Sequence, residues 1–498
     1  MSTIERLRQS SAETAGAAAA EAGELGELGY LLAGATRADG DPVEVRSPYD
    51  DAPVALVHRA SPEAMEDAIA AAERAFAQTR RLPAWRRAEI LERISAGIAE
   101  RREELARTIA LEAGKPIRTA RVEADRAAFV FKVAAEEAKR LYGEVVPLDW
   151  LPGNEGRTAL VRRVPLGPVA GITPFNFPLN LVAHKVAPAL AAGNPIIIRP
   201  ASQTPVSALK LGEIVLAAGW PAEAVAVLPS STAAAAPLIE DDRIKLISFT
   251  GSPAVGWGLK GRAGRKRVTL ELGGNAGVIV HRDADVAYAA ERVAWGGFSY
   301  AGQSCISAQR IYVHREVYDR FADDLLARVR ALAVGDPLDE ATDVGPMIDL
   351  GAAERIEGWI SEAVAQDARV LAGGGRRGTL FEPTVLADAR EEMRIACMEA
   401  FAPLVALFPY DDVGEAIEAV GRSDFGLQAG LFTDSQAVID MAFERIEVGG
   451  LMVNDVSTFR IDHMPYGGVK LSGFGREGLR YAIEEMTELK LLTLNRRG

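Results

Sequence analysis

Between residues 167 and 275, short apolar runs alternate with helical stretches, and this alternation restricts the fold more than any other feature of the chain. PVAGIT (168–173), NPIIIRP (194–200), AVAVLP (224–229) and KLISFT (245–250) are short, apolar and rich in β-formers. LVAHKVAPALAA (181–192), residues 205–218 and an Ala-rich stretch before KLISFT lie between them and read as helices. This order predicts a parallel sheet with helices on both faces. Such sheets bind ligands at the carboxyl ends of their strands. Asn176, Arg199, Ser230 and Gly251 fall near those ends.

A second α/β region begins near Ala276. It contains a helical stretch (283–297), the strand AQRIYVH (308–314), a helix over 316–332, and further alternation up to LMVND (451–455). The 498 residues exceed the roughly 250–300 at which one core stops growing, so two to four domains are expected. Upstream, Ser61-Pro62 reads as a helix start, and a charged helical stretch from Arg86 to Glu112 is ended by Gly114 and Pro116. The tail YAIEEMTELKLLTLN moves from helical to strand-like sequence. With VRRVPLG (161–167) and the segment before it, this tail predicts a separate small sheet whose exposed edge favours pairing with another copy. Residues 11–27, Ala-rich and acidic, read as a short helix, a frayed arm or a disordered tail.

The formal charge of −13 argues against nonspecific nucleic-acid binding, which needs a basic surface. Two cysteines, Cys305 and Cys397, make no disulfide framework and fit a reducing, cytoplasmic compartment, with Cys397 read as structural. No uncharged apolar run of about 18 residues and no signal-peptide pattern is read, so no membrane association is expected.

Four short segments carry candidate chemistry. In SYAGQSCISAQR (299–310), Cys305 sits in a Gly- and Ser-rich loop that can expose a thiol, although a lone cysteine is more often a buried small hydrophobe. In TLELGGNAG (269–277), Glu271 ends an apolar strand and can serve as general base if burial raises its pKa; otherwise it is a solvated strand end. In ITPFNFP (172–178), flanking prolines can aim the Asn176 amide at a developing oxyanion, or they simply shape a turn. In SFTGSPAVG (248–256), Gly251 turns the chain and Ser252-Pro253 opens a helix whose N–H groups can face a phosphate. The GxGxxG fingerprint is absent.

Together these segments resemble the aldehyde dehydrogenase superfamily from about residue 40 onward. The resemblance implies an α/β fold with a Rossmann-like dinucleotide domain, an α/β catalytic domain and a small bridging β-sheet. It implies residues 1–30 as an N-terminal arm, 31–143 and 165–275 as the dinucleotide domain, 276–458 as the catalytic domain, and 144–164 with 480–498 as oligomerisation segments. The activity it implies is oxidation of an aldehyde to a carboxylic acid with NAD or NADP, without a metal, in a homodimer or homotetramer. By the same resemblance Cys305 is the nucleophile, Glu271 the base, Asn176 the oxyanion donor alongside the Cys305 N–H, and Lys185 a proton-relay lysine. Thr173, Pro174, Phe175, Arg199, Ser202, Gly251, Ser252, Leu272, Gly273, Glu399 and Phe401 are implied in cofactor binding. PYGGVKLSGFGREG (465–478) resembles the family's C-terminal signature.

Three positions depart from the family pattern. Arg199 stands where a lysine is usual, Ser202 where NAD-specific members often carry Glu, and Ala402 where Gly is usual. A Glu at position 202 would repel a 2′-phosphate, and Arg199 would attract one, so NADP is expected to be accepted. A cysteine hydrolase is disfavoured because none of the five histidines falls in the segments around Cys305 or Glu271. An inactive scaffold is disfavoured by the intact Cys305, Glu271 and Asn176, and acyl transfer to CoA by the presence of Glu271. The substrate is not readable from the sequence. Arg460 and His463 either meet a polar or anionic tail or serve as a surface arginine and a packing histidine, and Tyr300, Phe175 and Phe459 are candidates for an apolar access tunnel.

Overall fold

The computed structural model describes residues 23–496. Most of the 11–27 segment lies outside them. Its last residue, Glu27, opens the strand Glu27–Leu28, which pairs parallel to Pro53–Arg59. Five parallel strands form the centre of an eight-stranded sheet, in the spatial order Arg267–Glu271, Leu246–Thr250, Val169–Ile172, Ile196–Arg199 and Val225–Val227. Antiparallel Gly473–Phe474 borders one side, and the Tyr30–Leu32/Ala35–Arg37 hairpin the other. The expected strand–helix alternation is present, and these central strands are buried almost throughout, as a parallel sheet covered on both faces requires.

Helix Asn180–Ala192 packs against this sheet with every residue buried, including Asn180, His184 and Lys185. Polar side chains that deep need partners or a function. Gly171 makes room for one of them, because a Cβ there would press on Ile198 and on the Lys185 stem.

The helix expected at Ser61 begins there, and the Ser61 hydroxyl accepts from Ala64 N at 3.2 Å. The stretch expected as one helix over 86–112 is two, Ala84–Glu100 and Arg102–Ala113. Arg101 leaves helical geometry at φ −94°, ψ 19°, capping one helix and opening the next. Its guanidinium is held by Glu104, three residues on, and by the distant Glu213, which no local pattern announces. Gly114 ends the second helix with φ +66°. A helix absent from the sequence reading, Ile117–Ala138, then packs on Ala84–Glu100 and on Asn180–Ala192.

A second, seven-stranded sheet runs in the order Arg369–Ala372, Thr384–Ala387, Leu404–Tyr410, Ala308–His314, Ala276–Val280, Gln428–Phe432 and Gly450–Val453, parallel except for the first strand. A third, antiparallel sheet joins Glu144–Pro147, Arg157–Pro165 and Thr487–Asn495. Along Thr487–Asn495 every residue after Thr487 is exposed. Among the described residues no helix is long and apolar enough to cross a membrane.

Candidate active site

Three of the chemical segments leave the first sheet at one level. Thr250 pairs with Glu271, and Phe249 with Ile172, so Glu271, Gly251-Ser252 and the Thr173–Asn176 loop all emerge at the carboxyl edge. After Glu271 the chain runs through Gly273 and Gly274. The Glu399 carboxylate lies where a Gly273 side chain would be and accepts from Gly274 N at 2.8 Å.

Cys305 arrives from the second sheet, between helix Val286–Phe298 and strand Ala308–His314. Tyr300, Ala301 and Gly302 take φ of +49°, +52° and +64°. Two consecutive non-glycine residues in the left-handed region cost energy, so surrounding contacts must hold this loop. The Tyr300 hydroxyl donates to Ala113 O at 2.8 Å. The Gln303 side chain donates to Pro346 O at 3.2 Å and accepts from Ile348 N at 2.8 Å. The Asn176 amide donates to Gln303 O at 2.9 Å, which ties the amide loop to the thiol loop.

The result is a cavity of about 660 Å³ lined by Cys305, Glu271 and Asn176 together. Both Glu271 oxygens are buried without a hydrogen-bond partner among the described residues. Burial, reinforced by the Glu477 charge, pushes the Glu271 carboxyl well above the ordinary range, against the opposing charges of Arg460 and Lys185. Burial also pushes the Cys305 thiol up to about 12, opposed chiefly by its hydrogen bond with Tyr466. Lys185, its ammonium disfavoured by burial, donates to Thr250 Oγ1 at 2.7 Å and Ser248 Oγ at 3.2 Å and pairs with Glu477 at 3.4 Å. The site is therefore a thiol, a carboxyl and an amide around one space, with burial opposing ionisation of both the thiol and the carboxyl.

Pro174, Phe175, Gly251, Ser252, Leu272 and Gly273 line the same cavity, as do Glu399 and Phe401. Lys185 and Thr173 lie behind that lining. Arg199 stands at its strand end but outside the cavity, donating to Ser230 O at 3.2 Å, and Ser202 is exposed. Thr173 Oγ1, Arg199 Nε and Ser230 Oγ are buried without partners among the described residues. Unsatisfied donors and acceptors along a carboxyl edge fit an extended polar ligand such as a dinucleotide.

Arg460 is not a surface arginine. Its side chain is 8% exposed, lines the cavity and pairs with Glu477 at 3.0 Å. His463 is exposed, edge-on to Phe129. Tyr300, Phe175 and Phe459 all line the cavity. Cys397, read as structural, is exposed at the end of the short helix Arg394–Cys397.

Several site residues escaped the sequence reading. Lys115 forms a fully buried ion pair with Glu123 beneath the Phe177 and Tyr300 rings. Glu123 also accepts from Leu179 N at 3.0 Å and Asn180 N at 3.1 Å, so it caps the helix carrying Lys185. Arg126, one turn further along, donates two hydrogen bonds to Asp462, at 3.0 and 2.7 Å, and reaches the cavity. Glu123 and Arg126 sit among Arg118, Arg121, Asp125 and Lys132 in the same helix, so charge pattern alone did not single them out.

Residues 35–492 match the aldehyde dehydrogenase family. The chain is 45% identical over 463 residues to a 3-sulfolactaldehyde dehydrogenase of Priestia aryabhattai, covering 93% of this chain and 97% of the relative. Aldehyde dehydrogenase 21 of Physcomitrella patens, solved with its reaction product succinate, superposes with a TM-score of 0.93 at 43% identity, over 94% of this chain and 98% of the other. A glyceraldehyde-3-phosphate dehydrogenase of Methanocaldococcus jannaschii, solved with NADP, gives a TM-score of 0.88 at 38% identity, over 92% of this chain and all of the other.

Proposed function

This chain belongs to the aldehyde dehydrogenase family, and from that premise we propose that Cys305 is the nucleophile, Glu271 the base and Asn176 the oxyanion donor in oxidation of an aldehyde to a carboxylic acid. The observation that carries this assignment is the buried, unpartnered Glu271 carboxyl in the same cavity as the thiol and the amide. Glu271, directly or through a water molecule, takes the thiol proton, and the sulfur attacks the aldehyde carbon to give a thiohemiacetal oxyanion. Asn176 Nδ2 has one hydrogen left after bonding Gln303 O, and the Cys305 N–H has no acceptor among the described residues. Both can meet the oxyanion, and one such donor is worth about 3–4 kcal/mol. NAD or NADP, bound along the carboxyl edge, supplies the hydride acceptor. Glu271, once the thiol proton has passed on to solvent, takes a proton from the water that attacks the thioester, and the acid leaves.

Gly273 leaves room for Glu399, which the family resemblance assigns to the nicotinamide ribose, and Gly251-Ser252 opens helix Pro253–Arg262 toward the phosphates. Arg199 supports acceptance of NADP. Its Nε has no partner among the described residues, it carries a positive charge, and no carboxylate stands at Ser202. Catalytic efficiency with NADP+ is expected to be within a hundredfold of that with NAD+, a gap below about 2.7 kcal/mol. Steady-state reduction read at 340 nm checks this, and a larger gap against NADP+ rejects it.

An anionic tail on the substrate is supported by two of the three arginines lining the cavity, Arg126 and Arg460, the latter with a buried Nε that lacks a partner among the described residues. Sulfolactaldehyde, succinate and glyceraldehyde 3-phosphate, named for the relatives above, all carry such a group. A charge-assisted hydrogen bond is worth about 1.5–3 kcal/mol, roughly ten- to hundredfold in kcat/KM. Arg126→Ala is therefore expected to lower kcat/KM by that factor for aldehydes ending in carboxylate or sulfonate, relative to neutral aldehydes of equal length. Equal losses on both series remove Arg126 from this role.

The domain assignment follows the same reading: 31–143 with 165–275 for the dinucleotide, and 276–458 for the nucleophile. Segments 144–164 and 480–498 would pair copies into a dimer or tetramer, supported by exposed Leu489, Leu491, Leu492 and Leu494 on an open edge. Both cysteines are free, and a thiol nucleophile works only when reduced, which supports the cytoplasm.

A further inference from the structure

The Cys305 sulfur has one side-chain hydrogen-bond partner among the described residues, the Tyr466 hydroxyl at 3.0 Å, and that hydroxyl bonds nothing else among them. Tyr466 is 3% exposed, and its position is fixed on three sides. Its backbone exchanges hydrogen bonds with Glu477, N to O at 3.1 Å and O from N at 2.6 Å. The Arg460 guanidinium lies over its ring, 3.6 Å from the centroid, and is itself held by Glu477. The ring is thus packed by contacts that do not involve the hydroxyl, and the hydroxyl is directed at the nucleophile alone.

We propose that Tyr466 is a catalytic residue: its hydroxyl donates to the Cys305 sulfur and stabilises the charge there, both when the thiolate forms and when it departs from the acyl carbon. This rests on Cys305 being the nucleophile. In the first step the S–H proton goes to Glu271 and the electron pair stays on sulfur, where the Tyr466 O–H meets it. Glu271 then passes that proton to solvent, and in the last step water adds to the acyl carbon with loss of a proton to the freed carboxylate. The C–S bond then breaks, its electron pair returns to sulfur, and the O–H again meets the charge before the proton from Glu271 restores the thiol. Burial pushes the phenol well above its ordinary range, so it keeps its proton and acts as donor. A cation over the ring face draws electron density away from the oxygen and strengthens that donor. The other charges acting on the sulfur are Glu399 and Glu271, which oppose the thiolate, and Arg460, which favours it.

Tyr466→Phe removes the hydroxyl and keeps the ring and its arginine. In a Cys397→Ser background, alkylation of the Cys305 peptide by iodoacetamide is followed by mass spectrometry between pH 7 and 9, where the rate scales with thiolate fraction. The rate is expected to fall about three- to tenfold, since one unit of pKa changes that fraction tenfold and the more basic thiolate is partly compensated by higher nucleophilicity. In the same variant kcat is expected to fall while KM for the aldehyde stays. An alkylation profile that superimposes on that of the parent, or one that becomes faster, overturns the proposal, whatever happens to turnover. Cys305→Ser in the same background separates the two claims: retained turnover there would refute the nucleophile assignment itself.

Discussion

Replacing Cys305 by serine is expected to lower aldehyde-dependent NAD(P)H formation by at least about a thousandfold while leaving cofactor binding intact. A serine hydroxyl is far less acidic than a thiol, and no histidine lines the cavity to activate it. The Glu271 carboxyl, already raised by burial, can collect a thiol proton passed in the attack but has little power over an alcohol. The substitution is nearly isosteric, and the thiol's side-chain bond is to Tyr466 alone, so the loop should hold its shape. Activity at 340 nm together with quenching of protein fluorescence by NADP+ distinguishes lost chemistry from lost binding. Full turnover in this variant would remove the sulfur from the mechanism.

The second large effect is expected for Glu271→Gln. General-base contributions of about 10²–10⁴ set the scale of the loss. Acylation should slow and hydrolysis of the acyl-enzyme should slow further, leaving a pre-steady-state burst of NAD(P)H followed by slow turnover. Because burial raises this carboxyl, its base form accumulates only as pH rises through the elevated value. Parental kcat should therefore climb with pH on a limb lying above the ordinary carboxylate range, and the variant should lose that limb. The same shift has a cost in stability. A carboxyl whose folded pKa exceeds its unfolded value of about 4.3 stabilises the fold below that value and loses the contribution as pH rises through the folded pKa. Above the elevated pKa, Glu271→Gln should then melt at a higher temperature than the parent. A burst-free variant with unchanged turnover would reassign the base.

Much of the fold was legible because buried parallel strands must be continuous apolar runs, as in IIIR (196–199) and LISFT (246–250). Cys305, Glu271 and Asn176 were each ambiguous alone, and became readable only when taken together. What the sequence hid depended on distant partners. Glu123 looks like any helical acid until the Leu179 and Asn180 amides, 56 and 57 residues on, are seen to rest on it. Gly473–Phe474 is too short to show a period, yet it borders the sheet beside Glu271. Arg460 reads as a solvated loop residue until Glu477 and the Tyr466 ring enclose it. The sequence marked PYGG as part of a signature, but the direction of the Tyr466 hydroxyl required a structure.

The central claim is that sulfur, carboxyl and amide act on one carbonyl. It is tested most directly by trapping the acyl group. Glu271→Gln is mixed with excess aldehyde and NADP+, quenched in acid within the burst, and digested for peptide mass spectrometry. One acyl group per chain is expected, carried on Cys305 and absent when NADP+ is omitted. An acyl group on Cys397, on another residue, or on none while NADPH is formed stoichiometrically would contradict it.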